Sequence, residues 1–317
     1  MDGNRFDTFA RALGRKTGRR GALGSMAAGA ALLGGVAATR QEAAAGKKTK
    51  SCKPGQTKCG KKCVSLQTDA KNCGACKNVC PSDQVCGNRV CTSKCGQVTK
   101  NAAYGFEKDL GDWNGPLTRV KSGTNGIDAF AGKWYATMPA FGNGGDDGPF
   151  TRWGSYGYFF PEGGFTTSAA IYLDIENATG SQQFDYTSAA NQPNCNHKRD
   201  FVYSVGRDPN ATDPTFCITA SNNAPGWPCN PGRNPVRVTE SGWYVFKHHF
   251  RDDNGVLAVD FVVTPPSGAD LQIGTLSDSS DTIGPDGTVG GNRYSWFYRN
   301  DFASLAIDAT SRVKGQG

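Results

Sequence analysis

The chain has 317 residues and a net charge of +7, and its 42 glycines and 16 prolines argue against a helical bundle. Charge is unevenly spread, which excludes a single basic domain: residues 46–100 hold twelve Lys/Arg against two Asp/Glu, and residues 101–317 hold 16 against 23. Nine of the twelve cysteines fall between Cys52 and Cys95, so cysteine usage divides the chain where charge does.

Residues 1–45 read as an export signal, with a basic start, an apolar middle and a small-residue end. Arg11, Arg15, Lys16, Arg19 and Arg20 supply the charge, and residues 21–38 then carry none. That stretch is rich in Gly and Ala and too weakly apolar to anchor the chain, since an anchor needs about 20 strongly apolar residues. The pair Arg19-Arg20 before a long, mild apolar stretch is the pattern of the twin-arginine route, although Gly18 stands where Ser or Thr is commoner. Ala43, Ala44 and Ala45 offer the cleavage site. A buried Ala-rich helix is the alternative, disfavoured by five glycines between Gly21 and Gly35. No lipobox cysteine follows, and no transmembrane segment is expected once the signal is removed. The expected product is secreted.

Residues 46–100 form the next unit. Cys52, Cys59, Cys63, Cys73, Cys76, Cys80, Cys86, Cys91 and Cys95 are separated by almost no apolar residues, and Val64, Leu66, Val79, Val85 and Val90 cannot supply a core. Crosslinks must therefore replace the core, each contributing about 2–4 kcal/mol. Zinc is the alternative reading, disfavoured because this segment has no histidine and export favours oxidation. The runs Cys59-Gly60-Lys61-Lys62-Cys63-Val64, Asp69-x-x-Asn72-Cys73-Gly74-x-Cys76-Lys77-Asn78-x-Cys80 and Gln84-Val85-Cys86 to Cys91 resemble the stigma-specific protein family over about 40 residues. That resemblance implies an extracellular module and no shared catalysis. Lysines at 61, 62, 71 and 77 make this one a basic knob, suited to a spacer or to contact with a cell-wall polyanion. Aromatic residues are missing from residues 50–100, so sequence-specific nucleic-acid binding is not expected.

Residues 101–317 alternate apolar and polar positions in short runs broken by Gly, Pro, Asn and Asp. Strands are expected over 166–175, 200–205, 242–250, 256–264, 293–299 and 304–308, with a hairpin turn at Asp253-Asn254-Gly255. The fold class is all-β: an antiparallel, jelly-roll-like β-sandwich, preceded by the disulfide-rich module and the cleavable signal. The opening Gly105-Phe106-Glu107 with Trp113 and the closing Leu305-Ala306-Ile307-Asp308 resemble the concanavalin-like lectin and carbohydrate-binding-module group. That resemblance implies paired terminal strands and, at Glu107 and Asp308, a structural calcium ion; two exposed acids are the alternative.

Chemistry is sparse. No Gly-x-Ser-x-Gly occurs, and His197, His248 and His249 make no metal motif. His248 should share a packed strand face with Tyr244, Phe246 and Phe250. Asp174 and Glu176 are the candidate acid pair, at i and i+2 of an expected strand. Binding is better supported. Trp134 and Tyr135, the cluster Arg152, Trp153 and Tyr156, and Arg293, Trp296 and Arg299 combine aromatic planes with guanidinium groups as a sugar-binding surface does. In 293–299, Tyr294, Trp296 and Tyr298 share one face and Arg293, Phe297 and Arg299 the other, so one set lines the core. Cys195, Cys217 and Cys229 lie in a loop-rich stretch, with Cys95 available as a fourth partner and one local bridge expected to pin residues 221–234. The expected function is that of a secreted, non-enzymatic protein binding carbohydrate or another surface ligand such as a cell-wall polymer. A polysaccharide hydrolase or lyase and a structural matrix protein are the alternatives. The oligomeric state is left open.

Overall fold

The computed structural model describes residues 52–81, 84–87, 89–93, 101–142, 148–284 and 286–315. Arg19, Arg20 and the rest of the expected signal lie outside the described residues, as does Cys95.

The cysteine-rich segment holds two small hairpins, Thr57–Cys59 (β1) with Lys62–Val64 (β2), and Gln84–Gly87 (β3) with Val90–Ser93 (β4). Disulfides join Cys52 to Cys63, Cys59 to Cys76, Cys73 to Cys86 and Cys80 to Cys91. Among the described residues its buried core consists of Cys73, Cys80 and Cys86, so sulfur fills the space that apolar side chains occupy elsewhere. The sulfurs of Cys73, Cys80 and Cys91 converge, but each is held in a disulfide and none is available to zinc.

The motif around Asn72 has a physical reason. Asp69 accepts from the Lys71 amide and the Asn72 side chain, and Asn72 in turn accepts from the Lys77 amide, which ties the turn that presents Cys73 and Cys76. Gly74 has φ +74°, and a Cβ there would lie 2.4 Å from the Arg89 carbonyl oxygen. Gly74→Ala is therefore expected to disturb both the turn and the approach of β4. Peptide mapping under non-reducing conditions should find mispaired Cys73 and Cys86; a native bridge map would contradict this account.

The described residues from 101 onward form fifteen strands: Ala102–Tyr104 (β5), Trp113–Asn114 (β6), Thr118–Lys121 (β7), Trp134–Met138 (β8), Phe150–Thr151 (β9), Phe165–Leu173 (β10), Gln183–Asn191 (β11), His197–Arg207 (β12), Phe216–Asn222 (β13), Val236–Val238 (β14), Gly242–Asp253 (β15), Val256–Thr264 (β16), Leu271–Thr282 (β17), Asn292–Asn300 (β18) and Leu305–Lys314 (β19). All pairings are antiparallel among the described residues. One sheet runs β17-β16-β15-β10-β19-β8-β7, with β5 also on β19, and the other runs β14-β13-β12-β11-β18-β9-β6. The first and last strands of the sandwich thus pair, Thr310 opposite Tyr104. The β15–β16 hairpin turns through Asn254 and Gly255, both at positive φ, as a two-residue primed turn requires.

Alternation builds the core. Phe165, Ala169, Ile171 and Leu173 of β10 and Tyr244, Phe246 and Phe250 of β15 point toward Phe184, Tyr186, Phe201 and Tyr203 of the other sheet. Phe165 stacks on Phe250 with centroids 4.4 Å apart, and Phe201 meets Phe250 edge-on at 5.3 Å. His248 lies on the same face as expected, fully buried between Tyr203, Phe261 and Tyr186. Burial pushes its pKa down to about 3. A hydroxyl ladder also crosses the interior: Thr167 to Ser188 at 2.7 Å, Ser188 to Ser295 at 2.6 Å, and the Trp153 indole donating to Ser295 at 3.1 Å.

Among the described residues no helix is long and apolar enough to cross a membrane. The Cys217–Cys229 disulfide pins the loop after β13, the local bridge expected from sequence, and Cys195 is also disulfide-bonded.

Candidate functional site

The expected acid pair is not on a strand. β10 ends at Leu173, and Asp174 and Glu176 are exposed in the following turn, where Asp174 accepts from the backbone and side-chain amides of Asn177. The strand was expected to run to residue 175, but the turn after Leu173 ends it. Asp174 and Glu176 therefore lack the shared strand face on which the acid and nucleophile assignment depended.

Glu107 and Asp308 do come to one place, beside residues 131–134 at the start of β8. Glu107 accepts from the Lys133 and Trp134 amides at 2.8 and 3.0 Å, and Asp308 from the Ala131 amide at 3.0 Å and the Ala309 amide at 2.6 Å. Burial raises the Asp308 pKa to about 6, with the Glu107 charge pushing the same way against the amide bonds. N–H groups converge on these oxygens, and their partial positive charge suits a carboxylate clamp. The donor set does not fit a calcium ion at this position.

The expected aromatic residues separate into three environments. Tyr135 is buried; its hydroxyl donates to the Thr124 carbonyl and its ring meets Trp243, which Phe130 and Tyr172 also contact. Trp134 is half-buried beneath Arg119, whose guanidinium carbon lies 3.6 Å from the ring centroid. Trp153 is buried against Tyr104 and Trp113 and anchors the hydroxyl ladder. Tyr135 and Trp153 therefore serve packing, because covered strands and loops leave neither ring a free plane.

A third group stays together on the outer face of the second sheet. Trp296 and Tyr294 pack there with Ala189, and Phe150, Tyr156 and Tyr298 lie against them. The Arg152 guanidinium carbon sits 5.3 Å from the Phe150 centroid and 5.4 Å from that of Tyr156. Arg293 approaches Tyr156 from its own strand at 4.7 Å and donates to Asn191 and the Cys195 carbonyl. Arg152 is exposed, and Tyr156, Arg293 and Tyr298 are half-buried, whereas Trp296 and Tyr294 are each 6% exposed. The accessible chemistry is thus a tyrosine framed by two guanidinium groups above a packed aromatic floor. Arg299 stands apart, paired with Asp301 at 2.8 Å.

β18 reaches this arrangement through two register shifts against β11. The pairs Ser188–Ser295 and Ala190–Asn292 are offset by one residue, and so are Asp185–Arg299 and Tyr186–Phe297. Between the two shifts simple alternation holds, so Phe297 lines the core and Tyr294 and Trp296 face outward; Arg293, expected on the same face as Phe297, instead lies beside the first shift and approaches Tyr156 on the outer face. Phe150 was missed because it stands in a two-residue strand too short for alternation to show.

The cysteine-rich segment matches the Stigma-specific STIG1-like protein family over residues 35–102. The bridges and the Asn72 turn described above lie within this STIG1-like match. No curated protein matches the chain in sequence. Among solved structures, a Bacillus subtilis protein of unknown function with a galectin-like fold covers 69% of this chain and 96% of its own, at 11% identity and a TM-score of 0.34. Winged bean acidic lectin, complexed with methyl-α-D-galactose, covers 67% and 98%, at 12% identity and a TM-score of 0.32. Lectin I-B4 from Griffonia simplicifolia, in its metal-free form, covers 68% and 98%, at 14% identity and a TM-score of 0.29.

Proposed function

We propose that this is a secreted, non-enzymatic protein that binds carbohydrate through the outer face of its second sheet, with the STIG1-like module as a basic accessory unit. The observation that carries the reading is Tyr156 held between Arg152 and Arg293 over the floor of Phe150, Trp296 and Tyr298. A saccharide ring needs an aromatic face for its C–H side and donors for its hydroxyls, and this patch supplies both. Export is part of the same reading, supported by the density of disulfides and tested by recovery of the chain in the medium.

Affinity electrophoresis of the full chain through a panel of soluble polysaccharides tests the assignment. One or more should retard the protein, and Tyr156→Ala should weaken that binding at least about tenfold, the loss of one well-packed ring contact. Full retention by the variant would remove the patch from the site. Release of reducing sugar from any bound polymer would favour the hydrolase reading instead.

A further inference from the structure

We propose that the Arg152–Tyr156–Arg293 patch selects acidic saccharides, those bearing carboxylate or sulfate groups, an inference that rests on the carbohydrate-binding reading above. Residues 101–317 carry 16 Lys/Arg against 23 Asp/Glu, and several of these cations are paired with carboxylates. Arg199 pairs with Asp278 and Asp281, Arg237 with Asp208, Lys247 with Asp270, Arg251 with Asp260 and Arg299 with Asp301. Arg119 and Arg207 are occupied by backbone carbonyls.

Arg152 and Arg293 are set apart by their position on one ring. Neither pairs with a carboxylate among the described residues, and both are brought to the same ring, at 5.4 and 4.7 Å. Two like charges beside one tyrosine repel each other, and an anion between them would relieve that repulsion. An acidic sugar unit placed at the edge of Tyr156 would be within reach of both guanidiniums. A guanidinium presents a planar fork of donors that matches a carboxylate or a sulfate, whereas a neutral hydroxyl uses only part of it. Arg293 is fixed by its bonds to Asn191 and Cys195, and Arg152 is exposed, which gives one preset donor and one that can close on the ligand.

The STIG1-like module also attracts polyanions, so the test keeps the full chain and varies the two regions separately. Affinities for polygalacturonate, dextran sulfate and neutral dextran are measured by titration calorimetry at physiological salt. Polygalacturonate or dextran sulfate should bind at least about tenfold more tightly than dextran, and the two anionic arms report whether carboxylate or sulfate is preferred. Arg152→Gln should weaken the anionic binding about tenfold with unchanged melting temperature, and Arg152→Lys should fall between. Combined Lys61→Gln, Lys62→Gln, Lys71→Gln and Lys77→Gln should cost less than about threefold. Dextran binding as tight as polygalacturonate would overturn the acidic selectivity and leave carbohydrate binding standing. Anion binding lost only in the lysine variant would assign it to the module and overturn the proposal. No binding to any of the three, or to the wider panel, would remove the underlying reading as well.

Discussion

His248→Phe should make the sandwich resistant to acid relative to the parent, by about 3 kcal/mol at about pH 4. The ring is fully buried among Tyr203, Phe261 and Tyr186, and its pKa is pushed down to about 3. In the unfolded chain the same histidine takes its proton near 6.5. The unfolded state therefore binds protons first as pH falls, so the contribution is fully present above about pH 6.5 and is lost on the way down toward about 3. Asp185 and Asp308 run the other way. Burial raises both to about 6, and their contribution is present below about 3.8 and fades as pH rises through about 6. They are common to both proteins and cancel in the difference. Replacing one aromatic ring by another of similar volume should change stability at about pH 7 by less than about 1.5 kcal/mol. Urea denaturation at the two pH values, compared between parent and variant, measures the effect; parallel acid sensitivity would contradict the burial of His248.

The second large effect is expected on reduction. Four disulfides close loops within residues 52–91, and the core they surround is Cys73, Cys80 and Cys86. At about 2–4 kcal/mol each, together they are comparable to the total stability of a typical small domain. Reduction should unfold the STIG1-like module completely, since among its described residues no apolar cluster other than the cysteines holds it. The sandwich should persist, because its core is a continuous layer of aromatic and aliphatic side chains and the Cys217–Cys229 bridge closes only one loop. Limited proteolysis with and without reductant separates the two units: cleavage confined to the module is the expected pattern. Equal protection of the module after reduction would show a core that these residues do not provide.

Much of the fold was legible because the period-2 signal is strong where one strand face is dry. Val256–Thr264 appears with the expected bounds, and the placement of His248 followed from its neighbours Tyr244, Phe246 and Phe250. The Asn254–Gly255 turn was legible for a different reason, since both positions require positive φ. The site was less legible. Tyr135 and Trp153 carry the same local composition as a ligand platform, and only tertiary packing against Trp243, Tyr104 and Trp113 identifies them as interior. Alternation along β18 separated Phe297 from Tyr294, Trp296 and Tyr298 correctly, but the register shift beside Arg293, which no local pattern marks, sets that residue on the outer face. Asp174 and Glu176 were misplaced by a strand end two residues earlier than expected, enough to dissolve a shared face. The disulfide pairings could not be read from spacing, since many connectivities satisfy it.

Hydrogen exchange of the full chain, with and without a saturating oligosaccharide fragment of the polymer bound most tightly in the panel, tests the central claim most directly. Added protection is expected in peptides spanning 150–158 and 292–299, with the module and the outer strands of the first sheet unchanged. Protection confined instead to residues 242–264, or to the module, would place the ligand elsewhere and contradict the assignment of the Arg152–Tyr156–Arg293 patch.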